Sequence, residues 1–165
     1  ATPSRAYAAV EELVKPAELE ADALTAGRNE TEAQDLQIAM GAGGTGKGAA
    51  GATRGLATAL KDLEKRQKSR RTRASRDALD RSLIDLAAYF RDALMVAGQA
   101  TTVTPSHPDM SEKISALAAH ASPDGLLRCI EAVLACREAL ATNVKPKFAV
   151  DAMVATVGQA LRSGD

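Results

Sequence analysis

Apolar residues recur along this chain at intervals of three and four, and no window alternates convincingly between apolar and polar positions. The first spacing lines one face of an α-helix, whereas alternation would mark a strand, so helices are expected throughout. A first helix is predicted from about Ser4 to Ala26, with Ser4 as N-cap and Gly27 as terminator. A kink or split is expected at Pro16, which lacks the N–H that an interior turn uses. Asn29 followed by Glu32 has the form of a capping box and predicts a second helix to about Met40. Glycine then crowds the chain from Gly41 to Gly55, and at about 1 kcal/mol per glycine relative to alanine this stretch predicts a flexible linker.

From Leu56 to Ala97 there is neither glycine nor proline. Leu79, Leu83, Leu86, Phe90 and Leu94 fall on one helical face, while between Leu63 and Leu79 bases replace the apolar stripe. One long helix with a solvated waist is favoured over two helices broken near residues 69–75. A loop is expected from Gly98 to Pro108, then a helix opened by Asp109 with Glu112. Ser122-Pro123 supplies an N-cap and an N1 proline for the next helix, to about Leu140. Leu126, Ile130, Val133 or Leu134, Arg137 and Leu140 recur along it. After Asn143-Val-Lys-Pro146 a last helix turns Val150, Met153, Val154, Val157 and Leu161 inward. The expected fold is all-α, a bundle of about five to seven helices in a single domain over residues 1–165. Its parts are acidic N-terminal helices (1–40), a glycine-rich linker (41–55) and a main bundle (56–165).

Composition sharpens this picture. Hydrophobic residues make up 45% of the 165, but aromatics only 2%, with no Trp. The apolar volume is therefore expected to come mainly from Ala, Leu, Val and Ile, which suits closely approaching helices and argues against a β-sandwich. No apolar run approaches the length of a membrane span, and no signal-peptide pattern opens the chain, so a cytoplasmic protein is expected. The sequence starts at Ala1, directly in helix-like residues, and reads as a fragment of something longer. Cys129 and Cys136 are seven apart on one predicted helix, about 10 Å, beyond disulfide reach, so both read as reduced core residues.

The net charge is zero but unevenly distributed: residues 1–40 hold eight acids against three bases, and residues 65–76 hold seven bases and no acid. The basic run is Lys65, Arg66, Lys68, Arg70, Arg71, Arg73 and Arg76, with Arg66, Arg70 and Arg73 sharing a helix face. Such a stripe is a candidate contact patch for protein or for nucleic-acid phosphates, with no aromatic to stack on bases. The alternative is a solvated waist paired with Asp77 and Asp80 or with the acidic N-terminal segment. Gly41, Gly46 and Lys47 imitate a phosphate-binding P-loop. Gly48 stands where Ser or Thr would ligate magnesium, and no strand is expected before the loop, so the motif reads as a look-alike. His107 and His120 have no ligand-spaced companions, so no metal or other cofactor is expected, and no nucleophile context supports catalysis.

The stretch from Leu127 to Met153 joins a helix, Asn143-Val-Lys-Pro146 and a final amphipathic helix. It resembles the C-terminal collar domain of bacterial replicative clamp-loader subunits. Leu63 to Arg70, Arg76 to Ala87 and Gly41 to Gly48 resemble the actinobacterial form of the delta-prime subunit of DNA polymerase III, with gamma or tau as second choice. The resemblance implies a clamp-loader-collar-like bundle that holds its subunit among gamma/tau and delta in the pentamer loading the sliding clamp onto primed DNA. It also implies a non-catalytic fragment, with the ATP-binding AAA+ module upstream of this sequence. Asn143 and Pro146 match the helix-turn-helix signature and carry a structural role. Val144 and Phe148 depart from the pattern, where a small polar or Ala residue and an aliphatic one are usual.

Overall fold

The computed structural model describes residues 3–40, 49–100, 102–142 and 144–162. Among them the chain forms five α-helices, one 3-10 turn and no strand: α1 (Pro3–Ala39), α2 (Ala49–Ala97), the turn Pro108–Met110, α3 (Ser111–His120), α4 (Pro123–Ala141) and α5 (Pro146–Ala160). The all-α fold expected from the spacing is the fold observed.

The long glycine-free stretch is indeed one helix, and α2 reaches back to Ala49, so residues 49–55 of the glycine-rich segment are helical. Its end is closed by backbone bonds from Gln99 to Val96 and from Ala100 to Met95. Gln99 rather than Gly98 takes the left-handed conformation there, at φ 54°, although glycine is the residue that adopts it without steric cost.

At the other end of the chain the sequence rules misjudge the helix ends. Neither Pro16 nor Gly27 interrupts α1, and Asn29 and Glu32 form no capping box because they lie inside the helix. An interior glycine costs only about 1 kcal/mol. Side chains of α2 offset that cost, because Gln67 and Arg70 bond to Asn29 and Arg70 to Glu32 just beyond Gly27. Similarly, α3 has Met110 as N-cap with no side-chain bond, and the Pro108–Met110 turn stands where Asp109 was expected to cap.

The chain divides into two compact units, one of Ala1–Pro16 with Leu79–Asp165 and one of Ala17–Ala78. The first unit contains the larger core. Leu79, Leu83 and Phe90 of α2, Ile114 of α3, Leu126, Val133 and Leu140 of α4, and Val150 and Met153 of α5 are buried. Each such side chain contributes about 1.5–3 kcal/mol by leaving water. Val133 rather than Leu134 is the inward residue, and Leu134 is exposed. Cys129 and Cys136 are buried free thiols in the same core, and burial pushes both up to about 11. Arg137 reaches Asp80 through two bonds of 2.7 and 3.1 Å and ties α4 to α2. More than a third of these side chains stays in water, so the pair adds no more than about 1 kcal/mol.

The α4–α5 hairpin closes this unit, and both of its starts are prepared by sequence. Ser122 caps α4 by accepting the Gly125 N–H at 3.1 Å, with Pro123 behind it. Pro146 is the first residue of α5, where its missing N–H costs no helical bond.

The second unit is an antiparallel pair. Contacts running from Asp22–Arg71 to Asn29–Gln67 advance along α1 while receding along α2. Ala17, Ala21 and Thr25 are buried at intervals of four. These are small side chains, and the Thr25 hydroxyl donates to the Ala21 carbonyl at 2.8 Å. Little large apolar surface is buried here, so polar contacts carry a greater share of the pairing.

Candidate functional site

The basic run lies on α2 within the second unit, and the structure sorts its seven cations by helical angle, with Arg76 half-buried at the C-terminal end of the run. Arg70 turns to α1 and bonds to Asn29 Oδ1 and to both oxygens of Glu32, at 2.9 to 3.0 Å. Arg71 pairs with Asp22. Lys65 lies 3.8 Å from Asp62 on its own helix. Arg66, Lys68 and Arg73 are exposed, and their side chains have no ion-pair or hydrogen-bond partner among the described residues. The seven are therefore divided. Arg70 and Arg71 pair with the acidic N-terminal segment, as one sequence reading held, whereas Asp80 pairs with Arg137.

The Arg70 guanidinium, with Arg28 beside it, holds the Glu32 carboxyl down at about 2. Hydrogen bonding to Arg71 likewise lowers Asp22. A carboxyl lowered on folding contributes stability that is complete above its ordinary value, 4.5 for Glu32, and is lost as pH falls through about 2. Acid is thus expected to loosen the α1–α2 pairing across that window. In Glu32→Gln, hydrogen exchange of the amides around residues 27–33 should be faster at neutral pH and change less between about pH 4.5 and pH 2 than in the unaltered chain. Equal acid sensitivity in both would exclude Glu32 as the responsible group.

Lys65, Arg66, Ser69, Arg70 and Arg73 line a shallow groove of about 630 Å³, bounded by Asp77. Lys68 and Arg71 fall on other sides of the helix at 100° per residue.

A second surface belongs to the first unit. Along the α4–α5 hairpin a groove of about 600 Å³ is lined mainly by small or apolar side chains, among them Ala135, Ala139, Ala152, Val144 and Phe148. Phe148 is 64% exposed, with the Lys145 ammonium 5.9 Å from its ring centre. Leu127 and Leu134 also face water on α4. Seven residues apart, they share one face of that helix. The sequence had marked Val144 and Phe148 only as departures from a pattern, and the open groove beneath them gives those departures a physical setting.

Asp92 was missed by sequence reading. It sits on the buried side of α2 at 1% exposure. Its Oδ1 accepts from Arg91 at 2.7 Å, and its Oδ2 accepts the backbone N–H groups of Ser106 and His107 at 2.7 and 2.9 Å. It fastens the loop before α3 to α2.

Gly41, Gly46, Lys47 and Asn143 lie outside the described residues. The stretch before Gly41 is the end of α1, whereas a nucleotide-binding loop follows a strand. Among the described residues no three His, Cys, Asp or Glu side chains converge to hold a metal ion. No helix among them is long and apolar enough to cross a membrane.

The described residues are thus helical, with a cationic face on the second unit and an apolar groove on the first. A family model described as DNA polymerase III, delta subunit, C terminal, matches residues 57–148, more than half of the chain. The chain belongs to that family. The matched span includes the cationic run, Asp92, α3, α4 and the start of α5 as far as Phe148. No curated protein and no solved structure matches the chain.

Proposed function

We propose that this chain is the collar domain of a delta-prime clamp-loader subunit. In this role it is a non-catalytic, cytoplasmic assembly module that holds its subunit beside gamma/tau and delta in the pentamer loading the sliding clamp. ATP binding then belongs to a AAA+ module outside these 165 residues. The family match supports a DNA polymerase III subunit, and one observation supports assembly as the role: Phe148 stands 64% exposed over an apolar groove. A large aromatic left in water beside small side chains suits burial under a neighbouring helix, whose axis would lie 8–10 Å away. An interface of this kind buries about 1,000 Å² or more in total, with its energy concentrated in a few large side chains.

Titration of the chain with the C-terminal domains of gamma/tau and delta should give saturable association with at least one of them. Phe148→Glu is expected to weaken that association at least about tenfold, because it removes a central apolar anchor. Its own unfolding midpoint should stay nearly unchanged, since the side chain is exposed. Failure to associate with any of these domains would refute the assembly role. Association indifferent to Phe148→Glu would place the interface elsewhere.

A further inference from the structure

Pairing with α1 consumes only part of the charge on α2. Arg66 and Arg73 remain exposed and unpaired among the described residues, about 10 Å apart along one rigid helix. Between them lies Ser69, a hydroxyl donor, and beside them Lys65, Arg70 and Ala74 line the groove, with the Asp77 carboxylate as the one acid at its edge. Arg70 is itself fixed by Asn29 and Glu32, so this part of the cationic face is ordered before any ligand arrives.

The composition of the lining decides what fits. Its largest apolar side chain is Ala74. A protein partner draws most of its affinity from buried aromatic or aliphatic anchors, and stable seating on a membrane surface adds an apolar helix face to the basic one. This groove supplies neither. A phosphodiester backbone asks only for spaced cations and hydroxyl or amide donors, and guanidinium matches phosphate oxygens in pairs. With no aromatic in the run, bases have nothing to stack on, so contact is confined to the backbone and indifferent to sequence. The chain's net charge is zero, so any such attraction is local to this face.

We propose that the α2 face formed by Lys65, Arg66, Ser69 and Arg73 is a sequence-independent binding site for the phosphate backbone of a nucleic acid. This site is separate from the apolar groove on α4–α5, and neither claim depends on the other.

The test is fluorescence anisotropy of the whole chain with labelled oligonucleotides of two unrelated sequences, duplex and single-stranded, between about 50 and about 200 mM salt. The expected dissociation constant lies between about 1 and about 100 µM, equal within about twofold for the two sequences. Engagement of about three phosphates predicts a log–log salt slope of about −2 to −3 on duplex DNA and about −2 on a single strand. Saturable binding of either form supports the proposal, and comparison of the two identifies the preferred backbone.

The double variant Arg66→Ala, Arg73→Ala should weaken binding about tenfold or more and make the slope shallower by about 2. Lys113→Ala with Lys145→Ala removes the same charge from the other unit and should change neither. Polyglutamate and anionic lipid vesicles serve as competitors carrying charge without this backbone. The proposal is overturned by a flat salt dependence, by an Arg66/Arg73 variant that binds as well as the unaltered chain, or by either competitor displacing the oligonucleotide at equal charge concentration.

Discussion

In Asp92→Ala, the first unit is expected to lose about 3 kcal/mol of stability. The reason is the number of groups left without a partner. The backbone N–H groups of Ser106 and His107 both donate to Oδ2, and a buried donor that loses its acceptor costs about 1–3 kcal/mol. Arg91 loses the 2.7 Å bond to Oδ1 but retains Ser106 Oγ at 2.9 Å, so it adds less. Tyrosine fluorescence can read this loss selectively. The chain has no Trp, and Tyr7 and Tyr89 both belong to the first unit. A urea midpoint unchanged from the parent would mean that the loop before α3 is held by other contacts.

The same substitution should alter the response to acid in a defined direction. Burial pushes the Asp92 carboxyl up, but the Arg91 hydrogen bond, the two backbone N–H donors and the Arg91 charge together outweigh it and leave it below its ordinary 3.8. A carboxyl lowered on folding stabilises fully above its unfolded value and loses that contribution as pH falls through the folded one. The stability gap between parent and Asp92→Ala should therefore be constant from neutral pH to about 5 and narrow below about 4. A gap that persists undiminished well below that range would show the side chain acting by shape alone.

Asp92 also marks where sequence reading stops. On α2 it is one acid among many, adjacent in number to a base, and nothing local separates it from the exposed Asp85. Its role depends on backbone donors fourteen and fifteen residues away, which no periodicity encodes. The Asp80–Arg137 pair, 57 residues apart, was hidden for the same reason. Features written in local chemistry were legible: the long α2, the Ser122 cap, Pro123 and Pro146 at helix starts, and the inward Leu79, Leu83 and Phe90. The division of the basic run was half legible, because its charge was plain but the acids that claim Arg70 and Arg71 come from another helix. Gly27 and Asn29 misled because a rule about helix ends was applied to an interior position that tertiary contacts hold in place.

Glycine offers the sharper test of that last point, since two glycines in helices should respond to one substitution with opposite signs. Alanine is favoured over glycine by about 1 kcal/mol in a helix interior. At Gly27 a Cβ would meet nothing within 4 Å, so Gly27→Ala should stabilise the second unit by nearly that amount. At Gly125 the same atom would stand 2.8 Å from the Ala160 carbonyl oxygen and 3.1 Å from Ser122 Oγ. The first of these is backbone at the end of α5, which cannot step aside as a side-chain tip can, and the second is the hydroxyl that caps α4. Relief requires α4 and α5 to separate or the cap to open, and overpacking of this kind costs about 1–3 kcal/mol. The steric cost exceeds the propensity gain, so Gly125→Ala should lower the tyrosine-detected midpoint, and Gly125→Val should lower it further because a branched Cβ fills more of the same space. The close approach of the two helices that frame the apolar groove thus depends on a position without a side chain. A Gly125→Ala variant as stable as the parent would show that the α4–α5 contact is looser than 2.8 Å implies.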